Sequence, residues 1–193
     1  EAFLKVYGRF EELVSQRFPG SHLLLENRSG TTYRGGEFIV SGPGSLEELC
    51  ACIAEQELRL RLALDLPQVF TAVGGGQEMT ASKIRTTLES LHPCRKFIKS
   101  IHIWGKRRSA SGRLVSHIGN LDTYFGGNAT MKWAFLESLF DLLNDSHPRY
   151  VVPEVNSGSA DVEAIVYDLL DVGFEFVTPD HQRMYPDVRK PLS

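Results

Sequence analysis

Four side chains that commonly bind metals each stand at the end of a short apolar run. They are Glu26, Asp65, His102 and Glu154, which close the runs 22–26, 61–65, 99–102 and 150–154. Short apolar runs followed by helical patterns indicate buried parallel strands, whose ends meet at one face of a barrel. Carboxylates gathered there would repel one another unless a cation held them. Oxygen and nitrogen ligands of this mix suit Mn, Zn, Mg or Fe, so the sequence predicts a divalent metal site.

The strands and helices that must position these side chains alternate along the chain. Helices are predicted at about 2–17, 45–56, 80–91, 130–144 and 160–171, and strands at about 22–26, 59–65, 97–103, 150–154 and 174–177. We expect Ser45 to cap the second helix, with Glu48 as its capping-box partner, and Thr80 to cap the third. Loops are predicted at 29–44, 74–76 and 105–129, and an irregular tail at 178–193. Such alternation predicts a parallel sheet with right-handed crossovers.

The expected fold is therefore a single α/β domain over residues 1–193. Ligand-like residues at four strand ends favour a barrel over an open doubly wound sheet, because an open sheet converges only at its switch point. Five β/α units do not close an eight-stranded barrel. We expect a partial (β/α)8 TIM barrel that holds the five C-terminal units and lacks the first three. A missing N-terminal segment or another chain would complete it; otherwise the sheet is open.

The composition is that of an ordinary soluble domain. Of its 193 residues, 42% are hydrophobic and 23% charged, and the net charge is −3. No global basic field therefore attracts nucleic acid, although a local basic strip would suffice. Three cysteines without zinc-type spacing predict reduced thiols in a cytoplasmic protein. No apolar stretch reaches 18 residues, so no membrane span is expected.

Five segments resemble strand-end motifs of the xylose-isomerase-like TIM-barrel superfamily, most closely its endonuclease IV (AP endonuclease family 2) branch. The segments are Leu25–Gly30, Asp65–Ala72, Ile101–Ile103, Ser116–Gly119 and Val152–Glu154. The resemblance covers strands four to eight of that fold. It implies metal-ligand roles for Glu26, Asp65, His102 and Glu154.

The chain departs from this family at two ligand positions. The family has a histidine three residues after the strand-5 aspartate, where this chain has Gln68. It also has an Asp-x-His pair, of which only His117 remains because Val115 replaces the aspartate. Endonuclease IV-like enzymes use three metals, whereas the remaining residues suffice for about one. The remainder is similar to the single-metal tetrad of sugar isomerases and epimerases, which also carry an arginine where this chain has Arg108.

Further residues near the strand ends are candidates for substrate binding. His117 and Gln68 could bind metal or substrate. A basic group, comprising Arg28, Lys106, Arg107 and Arg108, could bind phosphate, and the alternative is a solvated charged loop. Trp104 and Tyr124 could stack on a base or sugar ring, or simply pack.

Three functions remain open at this point. The leading hypothesis is an endonuclease IV-like hydrolase of phosphodiesters in abasic or damaged DNA, with Zn or Mn favoured over Mg or Fe. The second is a metal-dependent sugar or sugar-phosphate isomerase or epimerase, with Glu26 and Glu154 as catalytic bases. The third is a non-catalytic, incomplete barrel that acts as an interaction module.

Overall fold

A computed structural model describes residues 2–29, 40–74 and 78–177. In chain order its elements are α1 (Ala2–Arg17), β1 (Leu24–Glu26), α2 (Pro43–Glu55), β2 (Arg61–Asp65), α3 (Leu66–Gly74), α4 (Ala81–Glu89), a 3-10 helix (His92–Phe97), β3 (Ile98–Ile103), β4 (Lys106–Arg108), β5 (Leu114–Ser116), α5 (Leu121–Tyr124), α6 (Ala129–Leu143), β6 (Tyr150–Pro153) and α7 (Ser159–Asp171). No helix in these ranges is both long and apolar enough to cross a membrane.

Four of the strands form a parallel sheet in the order β1-β2-β3-β6, which confirms the predicted α/β class. Neighbours in the sheet follow one another along the chain, so the order does not reverse within the described residues. Asp65 lies opposite His102, and His102 lies opposite Val152. The strand ends that carry the predicted site residues therefore lie at one edge of the sheet.

The two faces of the sheet carry different side chains. Leu62 and Leu64 of β2 and Ile101 and Ile103 of β3 are buried in the main apolar core, together with side chains of the helices. Side chains alternate between the faces of a strand. The other face therefore carries Ala63 and Ser100 and, at the strand ends, Glu26, Asp65 and His102.

The expected helix start at Ser45 is wrong. Helix α2 begins at Pro43, and its N-cap residue is Gly42. Proline suits the first turn of a helix because its missing N–H would have no intrahelical partner there. The Ser45 hydroxyl instead lies within the first turn, where it accepts from the Ser41 N–H and donates to the Gly42 carbonyl. The capping box with Glu48 is therefore not formed, whereas Thr80 does cap α4 and accepts from the Lys83 N–H at 3.2 Å.

The expected last strand, 174–177, is also wrong. Helix α7 ends in a Schellman-type turn in which the Phe174 N–H donates to the Leu169 carbonyl and the Gly173 N–H to the Leu170 carbonyl. Gly173 has a φ of +109°, a conformation that glycine adopts readily. The Phe174 ring then packs edge-on against Phe140 at 5.3 Å. This turn uses the N–H of Phe174, the first backbone donor of the expected strand.

Helix α3 and the β4–β5 hairpin were not predicted. Helix α3 follows β2 directly, and the hairpin lies with α5 inside the polar stretch 105–129. The predicted tail 178–193 and most of the loops at 29–44 and 74–76 lie outside the described residues.

An ion-pair cluster joins the loop after α6 to the start of β3. The Arg149 guanidinium donates to both carboxylate oxygens of Asp145, at 2.7 and 2.8 Å, and to the backbone carbonyl of Ile98 at 3.1 Å. The Arg95 Nε donates to Asp145 Oδ2 at 2.8 Å. These guanidinium groups, with Arg149 first, hold the pKa of Asp145 well below its usual value.

We expect Asp145→Asn to lower the free energy of unfolding by about 1.5–3 kcal/mol, the contribution of charge-assisted hydrogen bonds. Because folding depresses the Asp145 pKa, this contribution is present above the unfolded-state pKa of about 3.9 and is lost as the pH falls toward the folded-state value. Urea denaturation at pH 7 and pH 3 measures it. The exposed control Asp171→Asn should stay within about 0.5 kcal/mol at pH 7. Equal stability of wild type and Asp145→Asn at pH 7 would contradict the prediction.

Candidate metal centre

His102 is the centre of the candidate site. Its Nδ1 is buried and has no hydrogen-bond partner in the described part of the chain. It lies 3.1 Å from Glu154 Oε1 and 3.7 Å from Glu26 Oε2. Two ligands that each bond one ion at about 2.1 Å stand roughly 3–3.5 Å apart. The His102–Glu154 distance lies within that range, and the His102–Glu26 distance is slightly longer.

The position of Glu154 follows from strand pairing. Its N–H donates to the Ile103 carbonyl at 2.9 Å, which continues the pairing of β3 and β6 by one step. This bond places the Glu154 side chain beside that of His102. The predicted strand end at Glu154 therefore agrees with the structure to within one residue.

His117 also reaches the site. Its Nδ1 lies 3.6 Å from Glu154 Oε2 and 3.3 Å from the Glu154 carbonyl oxygen. The His117 carbonyl accepts from the Asn156 N–H at 2.8 Å, and the Ser157 hydroxyl accepts from the Gly119 N–H at 2.8 Å. These bonds join the loop after β5 to the loop after β6.

Asp65 has hydrogen-bond partners of its own. The residue is 1% exposed, and its carboxylate accepts from the Trp104 Nε1–H at 3.1 and 3.2 Å and from the Gln68 N–H at 3.0 Å. Burial raises the pKa of Asp65 to about 6, although those two hydrogen bonds oppose the rise and the charges of Glu154 and Glu26 add to it. Asp65 is thus electrostatically linked to the site, while its oxygens bond to Trp104 and Gln68.

Gln68 stabilises the loop after β1. Its side-chain oxygen accepts from the N–H of Ser29 at 3.1 Å and from the Ser29 hydroxyl. Gln68 therefore ties α3 to the segment that follows β1.

The basic residues of the hairpin differ in their ion-pair and hydrogen-bond partners. Arg107 pairs with Asp161 at 3.6 Å, and Arg108 donates to the Gly112 carbonyl at 2.8 Å. Lys106 lies over the ring of Tyr124 at 4.2 Å, and burial lowers its pKa. In the hairpin register Lys106 lies opposite Ser116, the neighbour of His117. Arg28, in the segment after β1, is exposed.

The base of the hairpin is a close backbone contact. A Cβ on Gly105 would collide with the backbone of Gly119, and a Cβ on Gly119 would collide with Thr123. Gly119 also has a φ of +88°. The chain therefore needs glycine at both positions to bring Trp104 and His117 together.

Sequence reasoning gave no role to Asn27, which is buried and pairs with the backbone of Asp65. Asn27 Nδ2 donates to the Asp65 carbonyl at 3.1 Å, and Asn27 Oδ1 accepts from the Asp65 N–H at 2.8 Å. Its signal in the sequence is an asparagine directly after the strand-end glutamate. Trp104 was considered for stacking on a ligand or for packing, and its bond to Asp65 was not predicted.

Among the His, Cys, Asp and Glu side chains of the described ranges, no three form a preformed metal-binding group. The contacts in the site are pairwise, around His102 and Glu154. Glu26, whose side chain is 50% exposed, lies 3.7 Å from His102 Nδ1.

No protein-family model matches this chain, and no curated protein matches it.

Proposed function

We propose that Glu26, His102 and Glu154 bind one divalent cation, with His117 as a further ligand. The observation that supports this most is the buried Nδ1 of His102, which lacks a hydrogen bond and faces two carboxylate oxygens. A buried polar atom without a partner is costly, and a cation would satisfy it. Two carboxylates and two imidazoles suit Zn or Mn, with Mg or Fe as alternatives.

A cation bound there would supply a Lewis acid that polarises a substrate oxygen and acidifies water. The chain's own residues would orient the reaction. Glu154 contacts both histidines through its two oxygens and fixes their separation. Asp65, buried beside the site, keeps Trp104 in place.

The surroundings of Lys106 support the proposal that the substrate carries a phosphate group. Its ammonium group lies over an aromatic face, and no carboxylate within the described ranges pairs with it. Arg107 and Arg108 already have partners. Together with the endonuclease IV-like motifs, this arrangement leads us to propose cation-dependent hydrolysis of phosphodiesters in abasic or damaged DNA.

Metal analysis and a nicking assay test this proposal. The purified protein should hold about one equivalent of Zn or Mn and should nick an abasic duplex. A chelator should abolish the nicking, and higher salt should weaken DNA binding because phosphate contacts release counterions. A protein without divalent-cation affinity would refute the site and favour the non-catalytic module.

We expect Lys106→Met to weaken binding of the phosphodiester substrate about 10-fold, because the replacement keeps the aliphatic stem and removes the charge. Loss of one phosphate contact should also reduce the salt dependence by about one ion. Binding titrations at several salt concentrations measure both quantities. Arg107→Met is the matched control on the same strand, and its effect should be smaller because Arg107 pairs with Asp161. Equal effects of the two variants would contradict a specific role for Lys106.

A single-cation isomerase or epimerase is the second candidate. It is favoured by the two glutamates that flank one histidine, at 3.1 and 3.7 Å. Such enzymes use carboxylates to move a proton between neighbouring carbons. Cation-dependent exchange of solvent deuterium into a ketose, without nicking of DNA, would support this candidate over the hydrolase.

We also propose that the sheet is a consecutive arc of a (β/α)8 barrel. Its support is the chain-order pairing of parallel strands, with the polar strand ends on one side. An arc of this kind needs further strands to reach eight. An N-terminal segment or another chain would supply them.

A further inference from the structure

We infer that Trp104 is a positioning residue that transmits the placement of Asp65 to the ring of His117. Trp104 bonds to one of these residues and stacks on the other. The inference about structure stands on these contacts, and its consequence for cation binding rests on the function proposed above.

The indole of Trp104 is firmly attached to Asp65. Trp104 is 5% exposed, and its Nε1–H is shared between both carboxylate oxygens of Asp65 at 3.1 and 3.2 Å. Asp65 is itself held by the Gln68 N–H and, through its backbone, by one hydrogen bond accepted from Asn27 Nδ2 and one donated to Asn27 Oδ1. The indole is therefore anchored to the ends of β1 and β2.

The same indole contacts two other rings. The His117 ring lies against it with centroids 4.6 Å apart and planes tilted by 35°, and Tyr124 packs edge-on at 6.0 Å. These contacts leave the indole little room to rotate.

The backbone of His117 has an unusual conformation. Its φ of +59° is uncommon for a residue other than glycine, and it lies in a loop rather than in a strand. The stacked indole fixes the plane of its imidazole, whose Nδ1 faces Glu154. Asp65 thus acts on His117 through Trp104.

NMR of the histidine side chains tests this coupling without any cation. An aromatic ring shifts the proton resonances of a group stacked on it, so the His117 ring protons, assigned with His117→Gln, report its position against the indole. Asp65→Asn replaces one acceptor oxygen by an amide and removes the charge. We expect it to shift the His117 resonances in the otherwise wild-type protein and to cause little further shift in a Trp104→Phe background.

A control and a second readout keep the inference falsifiable. Trp133→Phe replaces the exposed tryptophan and should leave the His117 resonances unchanged. If Trp104→Phe does not fold, the indole Nε1–H resonance of Trp104 in the Asp65→Asn protein is read directly, and it should move. Unchanged His117 resonances in Asp65→Asn, an unchanged indole resonance, or the same shift in both backgrounds would overturn the inference.

Titration with Mn²⁺ provides the arm that depends on the proposed function. Trp104→Phe should bind Mn²⁺ about 10-fold more weakly than wild type, in the range of outer-shell substitutions at metal sites. Wild-type affinity in Trp104→Phe would overturn the consequence for cation binding. A wild-type protein that binds no Mn²⁺ would refute the proposed cation site, while the NMR result would still decide the coupling.

Discussion

Glu154→Gln should abolish divalent-cation binding and every activity that depends on it. The two Glu154 oxygens lie 3.1 Å from His102 Nδ1 and 3.6 Å from His117 Nδ1, so this carboxylate joins both imidazoles. Glutamine keeps the shape but removes the charge and replaces one oxygen by a donor. Loss of a direct ligand should weaken affinity beyond the roughly 10- to 100-fold cost of outer-shell changes. Calorimetric titration with Zn²⁺ or Mn²⁺ measures it.

Glu163→Gln is the matched control for this experiment. Glu163 is an exposed residue of α7, and the same chemical change there should leave cation affinity unaltered. Wild-type affinity in Glu154→Gln would reject the site assignment. Equal losses in both variants would indicate a general charge effect rather than coordination.

Phe135→Ala should lower the free energy of unfolding by about 3–5 kcal/mol, the usual cost of deleting a buried phenyl ring. Phe135 in α6 is 2% exposed, and its ring contacts those of Phe70 at 5.9 Å and Phe125 at 5.6 Å. Alanine would leave a cavity between α6, α3 and the turn after α5. Urea denaturation followed by circular dichroism gives the change.

Phe10→Ala makes the same deletion on a surface. Phe10 in α1 is 51% exposed, so its loss should cost within about 0.5–1 kcal/mol. A cost for Phe135→Ala as small as that for Phe10→Ala would show that the ring cluster does not form the core described above.

The strand ends were the most predictable part of the molecule. Buried parallel strands are short and nearly continuously apolar, so a polar residue that closes such a run marks an end. This reasoning found the ends of β1, β2, β3 and β6 within a residue or two. It also brought Glu26, His102 and Glu154 to one place, since parallel strands in register align their ends. Whether these residues bind a cation remains a prediction.

Local turns decided the elements that sequence reasoning missed. Proline fits the first turn of a helix, and α3 begins directly after β2 with Pro67 as its second residue. Phe174-Glu175-Phe176-Val177 alternates like a strand, but the turn at Gly173 engages the Phe174 N–H first. The spacing of apolar residues in the sequence does not predict such backbone hydrogen bonds.

The surroundings of Asp65 depend on contacts between distant residues. Its carboxylate accepts from an indole 39 positions away. That bond requires the side-chain orientation of Trp104, which the strand pattern does not specify. Aspartate at a strand end was therefore assigned as a ligand, while the structure gives its oxygens to Trp104 and Gln68.

The contact between Gly105 and Gly119 fixes the base of the β4–β5 hairpin. The chain enters and leaves the hairpin at this contact, where neither glycine position has space for a side chain. The tip around Gly112 lies beyond that point. The residues around Gly112 could therefore change in number or charge without displacing Glu26, His102 and Glu154, which lie outside the hairpin.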